Sequence, residues 1–194
     1  MKFRVTLTVA LATLALTSCG SSSQSGTPTG SAAGTSSAPT STKASKDELV
    51  AWVDKVCGVT IQSIAPMEQE PALDTKNLTT MKTQFVDYLQ KASDSLGKGV
   101  TDLEPFKQGP SKDSEKYVTS HTETLTKLKT TLDSSIEKVK ASDPKNPQKF
   151  ATDIQLVGTE ISSAGLVASS SIGVLVEKDL ADAEKQAANC QKRK

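Results

Sequence analysis

The stretch SKDELVAWVDKVCGVTIQSIAP, residues 45–66, decides the fold. Ser45 stands three residues before Glu48, the spacing of a capping box. In that motif the serine oxygen accepts an early backbone N–H, and the glutamate reaches back to the serine N–H. Leu49, Trp52, Val53, Val56, Cys57, Thr60 and Ile64 then recur at three and four residues, which makes one apolar stripe of a helix. Pro66 and Pro71 are expected to end that helix and open a loop.

The same period continues downstream. A second helix is expected from Asp74 or Asn77, with Leu78, Met81, Phe85, Tyr88, Leu89, Ala92, Leu96, Val100 and Leu103 on its stripe. Gly97 and Gly99 weaken it, and Pro105 ends or kinks it. Gly109-Pro110 reads as a turn. A third helix carries Val118, His121, Leu125, Leu128, Leu132, Ile136 and Val139, until Ser142-Asp143-Pro144 interrupts it. Pro147 suits the first position of a fourth helix, where its missing N–H costs nothing. Phe150, Ile154, Val157, Ile161, Ala164, Ala168, Ile172, Leu175, Ala183, Ala187 and Cys190 follow. No strand alternation appears. Four amphipathic helices with short connections pack most simply as an antiparallel four-helix bundle, an all-α domain over residues 45–194. A chain of that size suits one domain with one core.

Upstream the character changes twice. Lys2 and Arg4 precede an uncharged run, Val5 to Leu16. At about a dozen residues it is too short to span a bilayer of roughly 30 Å, but it has the size of a signal-peptide core. Leu16-Thr17-Ser18-Cys19 closes it and resembles the bacterial lipobox, whose cysteine receives a diacylglycerol and becomes the new N-terminus. Residues 1–18 are therefore expected to be a lipoprotein signal peptide and Cys19 the lipidated residue. The alternative is ordinary secretion with Cys19 left as a spare thiol. Two acyl chains suffice for stable anchoring. Residues 20–44 are almost wholly Ser, Gly, Thr, Ala and Pro. Such a chain buries too little to offset its ordering entropy, and some 25 residues of coil reach about 25–30 Å. Cys19 and this tether are expected to hold the domain off the extracytoplasmic face of the cell membrane.

The mature chain keeps two more cysteines, Cys57 and Cys190. Disulfides persist outside the cytoplasm, so the pair is expected to be bonded; the alternative is two buried free thiols. The bond raises a problem of length. An unbroken helix from Pro147 to Cys190 would run about 65 Å, while the first helix offers only about 10–12 Å beyond Cys57. A bend or break is expected between Gly158 and Gly173, or else the loop from Pro66 to Lys76 covers the overhang.

The run Trp52-Val53-Asp54-Lys55-Val56-Cys57-Gly58, with Ala188-Asn189-Cys190-Gln191 at the far end, resembles a group of actinobacterial small lipoproteins and small secreted proteins. They share a lipobox, a low-complexity tether and a helical domain with one cysteine in each terminal helix. The resemblance implies an envelope location and a disulfide. It implies no activity, and it carries over no residues beyond Cys19, Cys57 and Cys190.

Chemistry is sparse. The one histidine, His121, sits on a stripe and reads as a half-buried core or boundary residue. No zinc spacing, nucleophile elbow, phosphate loop or Glu-x-x-His pair occurs. S-x-x-K at Ser95/Lys98, Ser135/Lys138 and Ser142/Lys145 reads as chance in a chain so rich in both residues. Asn77-Leu78-Thr79 is read as a helix cap, and Trp52 as core with its indole N–H at an edge. The chain has 23 basic and 22 acidic residues; without Lys2 and Arg4 the balance is 21 to 22. The signs are interspersed, without a basic stripe, and this argues against nucleic acid. Gln191-Lys192-Arg193-Lys194 reads as a solvated tail. No catalytic residue, metal ligand or cofactor is expected, and no ligand-binding residue is picked out. The leading expectation is a non-catalytic interaction module of the cell envelope, partnered by another envelope protein or a cell-wall polymer. A carrier for an apolar ligand, using the small residues from Ser162 to Gly173, is the alternative. An enzyme is third and would require a cleft with converging titratable groups.

Overall fold

Ser45 caps the first helix through both arms of the box. Glu48 N–H donates to Ser45 Oγ (3.3 Å), and Ser45 N–H donates to Glu48 Oε2 (2.9 Å). The Ser45 backbone N–H, and then its hydroxyl, hold the Glu48 carboxyl below its usual range. In the computed structural model of the chain, residues 44–171 and 177–192 are described, and side chains only outside 166–171. The signal segment, Cys19, the tether, Ile172, Gly173, Leu175 and the last two basic residues lie outside the described residues.

Six helices and no strand occur among the described residues: α1 (Lys46–Glu68), α2 (Leu78–Leu103), α3 (Ser114–Ala141), α4 (Pro147–Ser171), α5 (Lys178–Glu184) and α6 (Ala188–Gln191). Pro66 does not end α1, which runs through it to Glu68. A proline in the last turn forfeits one backbone bond, too little to stop a helix there. Asn77 caps α2, its Oδ1 accepting from the N–H groups of Thr79 and Thr80 (both 3.1 Å). Pro105 ends α2 at Leu103, and the chain tightens into a 3-10 turn, Glu104–Lys107. Ser142-Asp143-Pro144 follows α3 directly, and Pro147 is the first residue of α4.

The last segment is not one unbroken helix, but no break lies in the described part of the expected stretch, which reaches Ser171; Ile172 and Gly173 lie outside the described residues. α4 continues through Gly158 and Gly165 as far as Ser171, the non-helical Glu177 precedes α5, and residues 185–187 part α5 from α6. Cys190 therefore sits on the four-residue α6, not at the end of a long rod.

Side-chain contacts give the directions. Lys82 reaches the Lys140 and Ser142 carbonyls (2.6 and 2.8 Å), and Ser93 bonds Asp133, so α2 and α3 run antiparallel. Cys57 lies beside Tyr117, and Thr60 beside His121, so α1 and α3 run parallel. The principal seams are α1–α2, α2–α3 and α3–α4, while α5 and α6 flank α1. Among the described residues, the extensive seam of α4 is with α3. Val53, Val56, Cys57, Leu89, Leu96, Leu125, Leu132 and Val139 form the centre of the core. Trp52 is half-buried, its indole lying against Tyr117 (ring centroids 5.6 Å) and Gly109. A Cβ on Gly109 would stand 2.6 Å from Trp52 Cζ2, so the turn must be glycine for the indole to close over it. His121, expected half-buried, is fully buried.

Candidate functional site

Two places on the molecule concentrate features that packing alone does not require. The first is where the chain ends meet. Cys57 projects from the buried stripe of α1, and its sulfur is bonded to that of Cys190 (Cα–Cα 5.1 Å). α6 has only four residues, and a helix that short cannot hold itself. Partners on α1 hold it. Asn189 N–H donates to Asp54 Oδ1 (2.7 Å), and Asn189 Nδ2 donates to Asp54 Oδ2 (3.0 Å) and to the Asp54 carbonyl (3.2 Å). Gly58 leaves room for that amide, since a Cβ there would stand 3.0 Å from Asn189 Nδ2. Leu180, Ala183 and Ala187 are buried in the stretch that leads to α6.

Around the sulfurs lies a small polar cluster. The Tyr117 hydroxyl is 3.7 Å from Cys57 Sγ, and the Tyr117 and His121 rings stand 4.7 Å apart. His121 Nδ1 is 2.8 Å from Thr60 Oγ1, which also reaches the Val56 carbonyl (3.0 Å). If the hydroxyl gives its one proton to that carbonyl, Nδ1 is the donor of the pair. Both sulfurs and the imidazole are out of solvent's reach, with Cys190 only 4 % exposed. Buried sulfurs of this kind are structural, not reactive. Cys57, Cys190 and Glu184 bring three potential ligand atoms within 4.8 Å of one another, but two of them are sulfurs spent in their own bond.

The second place is the outer face of α4. From Ala151 to Gly165 its exposed residues are Ala151, Thr152, Gln155, Leu156, Thr159, Ser162 and Ser163, none of them charged. Leu156 is 55 % exposed. The charges on this part of the helix are less exposed and paired, Asp153 with Lys149 (2.8 Å) and Glu160 with Lys138 (2.6 Å). The hydroxyls of Thr152, Thr159 and Ser163 donate to carbonyls of their own helix (3.0, 3.0 and 2.8 Å). Hydroxyls already bonded in this way lose little when water leaves them.

The residues singled out in sequence sort as follows. Cys57 and Cys190 are brought together; Cys19 lies outside the described residues. Of the S-x-x-K pairs, Lys98 is bonded to Asp102, Lys138 to Glu160, and Ser142 Oγ donates to the Val139 carbonyl. Sequence reasoning missed the Asp54–Asn189 pair. Its only signal is position: Asp54 stands one helical turn before Cys57, and Asn189 directly before Cys190. No protein-family model, no curated protein and no solved structure matches the chain.

Proposed function

We propose that the chain is a lipid-anchored extracytoplasmic protein whose helical domain is a non-catalytic interaction module, offering the outer face of α4 to another envelope protein. One observation carries the docking half of this reading: an exposed helix face from Ala151 to Gly165 without exposed charge, with an exposed leucine and with three of its hydroxyls bonded within the helix. An uncharged face suits an uncharged protein surface better than an anionic cell-wall polymer, because it offers a polyanion no cation. On this reading α1–α4 make an antiparallel bundle in which α5 and α6, rather than α4, cover the flank of α1. The anchor half rests on Leu16-Thr17-Ser18-Cys19 and on the family resemblance.

Photo-crosslinkers at Leu156 and at Glu123, an exposed α3 position, test the docking half on intact cells. The expected result is a protein adduct from Leu156 and none from Glu123. Recovery of lipid alone would favour the apolar-ligand carrier. Cys19→Ser tests the anchor half separately: the protein should leave the membrane fraction, and retention there would end the lipoprotein reading.

A further inference from the structure

We infer that Asp54 and Asn189 form a noncovalent latch that seats α6 on α1 before the Cys57–Cys190 bond closes, and that the latch governs oxidation of the pair. The latch is independent of the docking surface on α4.

The difficulty for oxidation is distance along the chain. The two cysteines are 133 residues apart, and bringing such ends together carries a large loop-closure entropy. The core brings α1 and α5 into contact, but the four residues of α6 need a local partner. Asp54 supplies it. Both of its carboxylate oxygens accept from Asn189, one from the main chain and one from the side chain. Charge-assisted bonds of this forked kind are strong and directional. Asp54 lies one turn before Cys57, on the side of α1 that α6 covers. Asn189 is joined to Cys190 by one peptide bond. Fixing the pair therefore fixes the thiols within reach of each other, and Gly58 removes the side chain that would crowd the amide.

The order of chemical steps follows from which cysteine can leave the core. Both are buried in the closed fold, but Cys57 belongs to the long α1, whereas Cys190 lies on the four-residue α6. With oxidised glutathione as oxidant, a frayed α6 presents the Cys190 thiolate. It attacks one glutathione sulfur, the glutathione S–S bond breaks, and one glutathione thiolate leaves. When the latch closes, the Cys57 thiolate attacks the Cys190 sulfur of the mixed disulfide and displaces the second glutathione thiolate. Two electrons pass to the oxidant, and the two thiol protons end on the two glutathiones. The latch acts on the second, intramolecular step.

The test uses the full chain with Cys19→Ser, so that two thiols titrate. Its dithiol–disulfide equilibrium is measured in glutathione buffer. Asp54→Ala should lower the effective concentration of the thiols by about tenfold to a hundredfold, the range for losing bonds to a charged group. It should also let the mixed disulfide at Cys190 accumulate, as seen by mass spectrometry. Asp54→Asn, which keeps one acceptor, should recover part of the loss, and Lys55→Ala should change nothing. An Asp54→Ala chain within twofold of its parent, with no mixed disulfide, would overturn the latch. A second measurement removes the sulfur from the question. In a chain with Cys57→Ser and Cys190→Ser, the Asn189 amide should be protected from hydrogen exchange, and Asp54→Ala should abolish the protection. An unprotected amide with Asp54 intact also overturns the proposal.

Discussion

α3 and α4 are both long helices, of 28 and 25 residues, with apolar residues at the same spacing. Their surroundings differ. α3 lies between α2 and α4 and buries side chains from Ser114 to Val139. Among the described residues the extensive contact of α4 is with α3, and between Phe150 and Gly165 only Phe150 and Val157 are fully buried. Ile154, Ile161 and Ala164 pack against the core from half-buried positions. A stripe of apolar residues thus says which way a helix faces, not how many neighbours it has. Exposed charge separates the two: Glu123, Lys127 and Glu137 line α3, while the exposed face of α4 from Ala151 to Gly165 has none.

The largest expected effect tests whether the molecule depends more on its ends than on either helix. Replacing both Cys57 and Cys190 by alanine should lower unfolding stability by up to about 5 kcal/mol, measured by urea denaturation. A loss no larger than that of a single core truncation would place the stability in the α2–α3 seam instead. Next comes a direct contrast of the two helices. Leu132→Ala in α3 should cost about 3 kcal/mol, and Val157→Ala in α4 less than half as much. Equal losses would mean that α4 is held as firmly as α3, and the contrast would fail.

A third change tests how closely α2 approaches α1. Gly99→Ala would place a methyl inside the Ser63 side chain, 2.6 Å from its Cβ. Overpacking of this kind should cost about 1–3 kcal/mol. Ser63→Gly in the same chain should restore much of it, and a simple helix-propensity effect would instead make Gly99→Ala stabilising.

A smaller effect depends on pH. Burial works to raise the Asp133 carboxyl, but bonds from Lys129 and Ser93 outweigh it and hold the group below its usual range. A depressed carboxyl stabilises the fold fully above the unfolded value, about 3.9, and loses that contribution as pH falls through the lower folded value. The pair is partly exposed, so the expected loss is below about 1 kcal/mol. Asp133→Asn should flatten the acid limb of stability against pH, and an unchanged limb would remove Asp133 from the account. Smallest of all, Leu156→Ala should leave stability within about 0.5 kcal/mol while weakening crosslinking from neighbouring α4 positions. A large loss of stability would show that Leu156 serves the fold, and the face of α4 would then have no leucine to spare for a partner.

Much of the fold was legible because its signals are local. The Ser45 box, the Asn77 cap, the stop at Pro105 and the start at Pro147 each depend on a few adjacent residues. That the last segment is not one unbroken helix was legible too, from arithmetic on helix rise and from the requirement that two sulfurs meet, but the described interruptions, at Glu177 and at 185–187, lie after the stretch where one was expected. Pro66 misled, because a helix tolerates a proline in its last turn. Gly99 was read as a weak point of α2, whereas it is the place where α2 comes against Ser63 of α1. The Asp54–Asn189 pair had no signal of its own, since a lone aspartate and a lone asparagine are common on any helical surface.

The linear chain by itself determined the helices, their caps and the two cysteines available for bonding, because hydrogen bonds along a helix and the period of its apolar side chains are properties of neighbouring residues. Only the tertiary structure decided which helices became neighbours, that α5 and α6 flank α1, and that Asp54 faces Asn189. Those outcomes depend on how side chains far apart in the chain fill a common volume, and no short window of sequence contains that volume.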